Sequence, residues 1–391
     1  MNSISNPIVA ARMADIEPFH VMEVQERAHK LEAQGRRIVH MEIGQPDFPA
    51  PPQVVEAAID AMRSRSLGYT SSLGLPELRA AIANFYVERY GVAVPAERII
   101  VTVGASGAFL LALGALVGAG DEVLMSDPCY PCNRHFVRIF DARPASIPVD
   151  EQRNFQLTAA DIRQHWRSRT RGVMLASPSN PTGTTIPAPE LRAIIEEVRG
   201  RGGFIIADEI YLGLTYGEKF TTALSLSEQI FVVNSFSKYF NMTGWRLGWM
   251  VAPESYLREV EKLAQNLFIC PPAPAQYGAL AAFRPDALAL LENRRREFQQ
   301  RRDYMVPALK ALGFSVPVMP QGAFYIYAGV ERFAPDSHEF ALQVLDRAGV
   351  AITPGLDFGK NRPERFVRIA YTQALEELQE GIRRLGKMPG A

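Results

Sequence analysis

Ile230-Phe231-Val232-Val233-Asn234-Ser235-Phe236-Ser237-Lys238 is an apolar run that ends in two hydroxyls and a lysine, and Tyr239-Phe240-Asn241-Met242-Thr243-Gly244-Trp245-Arg246 follows it. The run is short and apolar on consecutive residues, so it reads as a strand buried on both faces. Similar runs occur at Ile99–Val103, Glu122–Met125, Val173–Ala176, Phe204–Ala207 and Leu247–Val251. Helical periodicity separates many of them. Leu78, Ala81, Ile82 and Phe85 share one helix face, and Leu191, Ile194, Ile195 and Val198 share another. The alternation predicts an α/β fold, a mostly parallel sheet wrapped by helices. Ligands of such sheets bind at the carboxyl ends of the strands, where Lys238 falls.

The chain ends differ from this middle. A helix over about Phe19–Gln34 precedes a short strand, Ile38–Glu42. A charged helix after Pro285 leads into short strands at Ala323–Ala328 and Phe366–Tyr371. We expect a large domain over residues 48–295 and a smaller α+β domain built from both ends, residues 1–47 and 296–391.

Composition narrows the function. Of 391 residues 47% are hydrophobic and 21% charged, as in an ordinary globular protein rather than a disordered one. The 42 Lys and Arg cancel the 42 Asp and Glu, so the basic excess of a phosphate-tracking nucleic-acid binder is missing. No apolar run approaches the roughly 18–20 residues of a membrane span. The N-terminal stretch lacks a charged start with an apolar run behind it, so no secretion signal is expected. Three cysteines make no disulfide framework. We expect a cytoplasmic protein without nucleic-acid or membrane partners, and we take the Asn241-Met242-Thr243 sequon as a chance match.

Several familiar site signatures are absent. There is no GxxxxGK[ST], no HExxH and no GxGxxG after a strand. The six histidines lack ligand spacing, so no metal site is expected. Cys129-Tyr130-Pro131-Cys132 could mark a redox pair or half of a zinc site, but no second pair completes a ligand set. We read it as a loop whose informative residue is Tyr130.

The strand ends hold the remaining candidates. Val101-Thr102-Val103-Gly104-Ala105-Ser106-Gly107 is a strand, a small-residue turn and a helix start. It serves either as a tight turn or as an anion cradle of backbone amides. Ser177-Pro178-Ser179-Asn180-Pro181-Thr182-Gly183 is either a polar loop or a rigid one presenting the Asn180 amide. Asp208-Glu209-Ile210-Tyr211 puts a carboxylate directly after a buried strand, where it either caps a helix or meets a ligand cation. Lys238 sits among Phe236, Tyr239 and Phe240, and burial would lower its pKa and make the amine nucleophilic.

A phosphate turn, an aromatic, an amide, a carboxylate, a tyrosine, and a lysine with hydroxyls and an arginine together describe a pyridoxal 5′-phosphate (PLP) site. On these motifs the chain resembles the fold type I PLP enzymes, in particular the class I/II aminotransferases similar to aspartate aminotransferase. The resemblance runs from Ile43-Gly44-Gln45-Pro46-Asp47-Phe48 to Phe366-Val367-Arg368-Ile369-Ala370. It implies a seven-stranded sheet. Lys238 would form the Schiff base with PLP and then shuttle a proton between the substrate α-carbon and the cofactor. Asp208 would keep the pyridine nitrogen protonated, so that the ring accepts electrons. Tyr211 and Asn180 would hydrogen-bond the phenolate oxygen, and Tyr130 would stack on the ring. The Ala105 and Ser106 amides, Ser235, Ser237 and Arg246 would hold the phosphate, with Arg246 able to grip it bidentately. Tyr69, in Gly68-Tyr69-Thr70, would reach the phosphate of the other subunit, which implies a homodimer with shared sites. Arg368 would clamp the substrate α-carboxylate, helped by Asn180 and the Gly44 backbone.

The implied activity belongs to amino-acid metabolism: a transaminase moves an amino group between an L-amino acid and a 2-oxo acid through pyridoxamine phosphate. A C–S β-lyase on the same fold would use the same lysine and aspartate. A non-enzymatic regulator would need a fused DNA-binding domain, and about 40 residues before the family's core are too few. Two family devices for a second carboxylate are missing, because Ser106 is not lysine and Gln265 is not arginine. Neutral aliphatic or aromatic donors are therefore expected, in a pocket lined by Phe19, Tyr130 and Phe324.

Overall fold

In the computed structural model, which describes residues 8–217 and 220–388, the apolar runs lie side by side in one sheet. Twelve strands are present among the described residues. They are β1 (Val39–His40), β2 (Ile99–Thr102), β3 (Glu122–Asp127), β4 (Arg143–Pro148), β5 (Thr170–Ala176), β6 (Phe204–Asp208), β7 (Phe231–Ser235), β8 (Gly248–Val251), β9 (Tyr325–Gly329), β10 (Val350–Ala351), β11 (Thr353–Pro354) and β12 (Phe366–Ala370). The large sheet has the order β2-β8-β7-β6-β5-β3-β4. β8 runs antiparallel to both of its neighbours, and the other pairs are parallel.

Alternate residues of these strands feed two cores. Val101, Leu124, Leu175, Ile205 and Val232 pack on one face, and Ile100, Val123, Met174, Ile206 and Val233 on the other. Each strand is thus apolar at consecutive positions because helices cover both of its faces. β4 is the exception. Its sequence, Arg-Pro-Ala-Ser-Ile-Pro, has no apolar run, and it lies at the sheet edge beside β3. Two prolines are tolerable there because one side of an edge strand needs no ladder donors.

Both chain ends meet in a two-stranded sheet, and the C-terminal end forms a second, three-stranded one. β1 pairs in parallel with β10, Val39 opposite Val350, and β9 and β11 flank β12 in antiparallel fashion. Helix His20–Ala33 buries Val24 and Ala28 against Ile38, Leu345 and Ala351. The expected boundary between residues 295 and 296 falls inside one 27-residue helix, Pro285–Ala311.

Candidate active site

The carboxyl ends of β5, β6 and β7, the start of helix Gly104–Leu116 and the N-terminal segment surround a cavity of about 480 Å³. Lys238 lines its floor, and its Nζ donates to the Gly44 carbonyl at 2.7 Å. The rings of Phe324 and Tyr211 lie 5.6 and 5.7 Å from that nitrogen. Burial, and then the positive Arg368 and Arg246, lower the ammonium's pKa to about 8, against the pull of Asp208. A fraction of the amine is then neutral near pH 7, the state a nucleophile requires.

Asp208 ends β6 and is buried; its Oδ1 accepts the Ile210 amide at 3.0 Å. Burial raises its carboxyl to about pH 7, although the Ile210 amide and Lys238 pull the other way. A turn and a single short 3-10 helix follow it, so it caps no α-helix. A carboxylate held in this way becomes comfortable when a cation is delivered to it.

At one end of the cavity the structure collects donors for an anion. Helix Gly104–Leu116 begins without a side-chain cap, so its first amides remain available to a ligand. Ala105 and Ser106 line the cavity at this point. Gly104 has φ +66°, and a Cβ there would lie 2.7 Å from an Arg246 nitrogen, so glycine lets the guanidinium close over the helix start. Arg246 is itself left-handed at φ +52°. It donates to the Thr243 carbonyl at 3.0 Å and to the Ser237 hydroxyl at 3.5 Å. The Ser235 hydroxyl lines the cavity too, but it accepts the Ser237 amide and donates to the Leu247 carbonyl.

Arg368 lines the same cavity. It is buried, with Nη1 on Asn180 Oδ1 at 3.1 Å and Nη2 on the Glu42 carbonyl at 2.5 Å and on Thr353 Oγ1 at 3.2 Å. Its Nε is buried without a partner, a donor left over beside the cavity. Its guanidinium lies over the rings of Tyr325 and Phe358, 4.4 and 5.0 Å from their centroids. Tyr211 is buried, and its hydroxyl shares a hydrogen bond with that of Tyr325 at 2.9 Å. Tyr130, Asn180 and Gly44 also line the cavity.

PLP fits this arrangement. Its phosphate would meet the uncapped helix start and Arg246, its pyridinium nitrogen would give Asp208 the cation it lacks, and Lys238 would take the aldehyde end.

Tyr69, expected in the site of the other subunit, and Gln265, near the place of the missing arginine, both lie away from this cavity. Tyr69 is 84% exposed and does not line the cavity of its own chain. Gln265 sits on an exposed helix face, where it donates to Glu261. Phe324 is a correction. It is fully buried against Phe298 and Tyr211, outside the lining, and the next residue, Tyr325, faces the cavity instead. Neighbouring residues of an extended chain point to opposite sides, so a shift of one residue exchanges core for cavity.

Other candidates fall away. Cys129 is buried, and burial raises its thiol to about 11, so it is no reactive thiolate. Asn241 is buried, donating to the Lys238 carbonyl and accepting from Arg294, which makes it a brace of the lysine loop and no glycan acceptor. Among the described residues no cluster of three or more His, Cys, Asp or Glu could hold a metal ion.

The motifs did not reveal the cover of the cavity, formed by Val21, Met22 and Gln25 of helix His20–Ala33 and by Asp357 and Phe358. Asp357 accepts the amides of His20 and Val21 at 2.6 and 2.9 Å. It thereby caps a helix whose own N-cap residue, Phe19, has no side-chain acceptor. The uncapped helix start was a signal that a partner from elsewhere in the chain must supply one.

Comparison with known proteins agrees with this geometry. The family model for aminotransferase class I and II matches residues 36–385. A valine–pyruvate aminotransferase of Mycobacterium tuberculosis is 40% identical, covering 96% of this chain and 97% of its own. A (5-formylfuran-3-yl)methyl phosphate transaminase of Methanocaldococcus jannaschii is 34% identical over 97% and 98% of the two chains. Among solved structures, an aminotransferase from Mycobacterium tuberculosis superposes with a TM-score of 0.94 at 40% identity, covering 97% and 98% of the two chains. Aspartate aminotransferase from Thermus thermophilus with maleate gives a TM-score of 0.91 at 29% identity, covering 97% and 99%. With its mostly parallel seven-stranded sheet, the chain belongs to the class I and II aminotransferases, fold type I enzymes whose members depend on pyridoxal phosphate.

Proposed function

We propose that this aminotransferase binds PLP on Lys238, works as a homodimer with shared sites, and prefers neutral, apolar amino donors. The observation that carries the reading is the Lys238 amine, held by the Gly44 carbonyl at 2.7 Å, its pKa lowered to about 8, in one cavity with the buried carboxylate Asp208 and the clamp Arg368.

When bound, PLP supplies an aldehyde carbon that can exchange one amine for another and a protonated ring that takes up electrons. The chain's residues do the rest. Arg368 binds the α-carboxylate and orients the α-carbon towards Lys238. Once the substrate's amine has displaced it from the cofactor, the Lys238 amine, neutral in part near pH 7, would take the α-proton and return it on the cofactor side. Asp208, ionised once it faces a cation, keeps the ring nitrogen protonated. Tyr211 would donate to the ring's phenolate oxygen, and Arg246 with the Ala105 and Ser106 amides would hold the phosphate.

The preference for apolar donors rests on the rest of the wall. Phe19, Val21, Met22, Phe109 and Phe136 line the cavity. Its three cations, Lys238, Arg246 and Arg368, all have tasks in this reading. A second carboxylate would lose its hydration there without a partner. The relative named for valine and pyruvate agrees with this preference, while relatives named for aspartate do not.

The dimer is supported by an apolar stripe, Val55, Ile59 and Met62, along the exposed face of helix Pro52–Ser64, with Leu67 and Tyr69 also exposed. Such stripes mark interfaces, and Tyr69 would cross into the partner's site. We keep the division into a large unit, 48–295, and a smaller one from both ends, with closure of the smaller unit bringing Arg368 onto the substrate. The three free cysteines suit a reducing compartment, and we read the protein as cytoplasmic.

The test is a donor given without any acceptor. Leucine should yield about one equivalent of 2-oxo acid per site and no ammonia, and added 2-oxo acid should restore the starting absorbance. Continuous release of oxo acid with ammonia would mean a lyase. A kcat/KM for aspartate more than about tenfold above those for alanine, leucine and phenylalanine would overturn the apolar preference.

A further inference from the structure

No motif singled out Tyr325, yet its side chain touches several groups of the site at once. β9 and β12 are antiparallel, with Tyr325 opposite Ala370 and Tyr327 opposite Arg368. Tyr325 and Arg368 are therefore diagonal neighbours on one face of that ladder. The ring carries the Arg368 guanidinium 4.4 Å from its centroid, a cation held on a π face. The hydroxyl at the other end of the ring lies 2.9 Å from the Tyr211 hydroxyl. Behind it, a Cβ on Gly44 would fall 1.7 Å from the Tyr325 oxygen. The Gly44 carbonyl is the group that holds Lys238 Nζ. One side chain, 1% exposed, thus touches the carboxylate clamp, the phenol nearest the lysine, and the strap over the lysine.

Two hydroxyls that share one hydrogen bond use one proton between them and leave the other free. If Tyr211 gave its proton to Tyr325, it would turn lone pairs towards an anionic oxygen in the cavity. If Tyr325 donates, Tyr211 keeps its proton for that oxygen, and a bond accepted at the Tyr211 oxygen strengthens the one it donates. We propose that Tyr325 is a positioning residue that does both jobs: its hydroxyl makes Tyr211 a donor towards the cavity, and its ring holds Arg368 in place for a carboxylate. The proposal rests on the PLP reading above, in which the anionic oxygen is the cofactor's phenolate.

The experiment loads wild type, Tyr325→Phe, Tyr211→Phe and the double variant with PLP. Loading at Lys238 is confirmed by borohydride reduction and peptide mapping, and the visible absorbance of each protein is then titrated with pH. Donation to the phenolate favours the deprotonated chromophore, so losing it raises the midpoint. Tyr325→Phe should raise it by about 0.5 to 1 unit and Tyr211→Phe by more. Adding Tyr325→Phe to Tyr211→Phe should move it by less than about 0.2 unit, because the first effect acts through Tyr211. Phenylalanine keeps the ring, so the Kd for the unreactive acid 4-methylpentanoate should stay within about twofold, whereas Tyr325→Leu should weaken it about tenfold. An unmoved midpoint in Tyr325→Phe, or an equal shift in both backgrounds, would overturn the proposal. Wild type that loads no PLP at Lys238 would instead overturn the cofactor reading.

Discussion

On the floor of the cavity, Asp208 ends one strand, Ser235 ends the next, and Lys238 follows three residues later. Across the cavity, Asp357 reaches back 337 residues to the amide of His20, and Arg368 reaches back 326 to the Glu42 carbonyl. The floor takes its geometry from a sheet buried on both faces, so its groups are positioned by the same core that folds the protein. The cover is held by a small apolar cluster, Val24 and Ala28 against Ile38, Leu345 and Ala351, and by hydrogen bonds between distant segments. Chemistry that needs fixed atoms fits the floor, and choice and release of substrate fit the cover. Substitutions on the two sides should therefore fail differently.

The largest effect belongs to the floor. Asp208→Ala should still bind PLP, yet lose about 10³-fold in kcat, with Asp208→Glu retaining more. A near-native kcat in a PLP-loaded Asp208→Ala protein would remove the carboxylate from the chemistry. Arg368→Lys, where the two sides meet, should raise KM about 100-fold for amino and oxo acids alike and leave the cofactor's absorbance in place, since a point charge does not replace a planar fork. A fall in kcat alone would place Arg368 elsewhere in the mechanism.

Lys238 gives the floor a pH signature. Its ammonium pKa is lowered from 10.5 to about 8, so the neutral amine predominates above pH 8 and falls about tenfold per unit below it. The rate at which apoprotein takes up PLP should climb with pH to about 8 and then level. A rate still climbing at pH 10 would mean an unperturbed lysine.

The smallest effect belongs to the cover. Asp357→Ala removes the cap of helix His20–Ala33, worth about 1 kcal/mol. KM for apolar donors should rise about fivefold with the cofactor's spectrum unchanged. A changed spectrum with unchanged KM would erase the distinction between floor and cover.

The same contrast explains what could be read in the sequence. Asp208, Asn180, Lys238 and Arg246 were legible because each stands within a few residues of an apolar run that announces a strand. Asp357 and Tyr325 were not, because their roles arise from chain segments far apart in sequence. Phe324 was misplaced because it precedes β9, where one residue decides between core and cavity. β4 escaped notice because an edge strand needs no apolar run. The expected boundary at residue 295 falls within helix Pro285–Ala311.

Reductive labelling tests the central claim most directly. Holoenzyme treated with borohydride, digested and mapped should carry the pyridoxyl group on Lys238, in the peptide that follows Ser235-Phe236-Ser237, at about one per chain. Label on any other lysine, or none on a protein that still transaminates, would contradict the account.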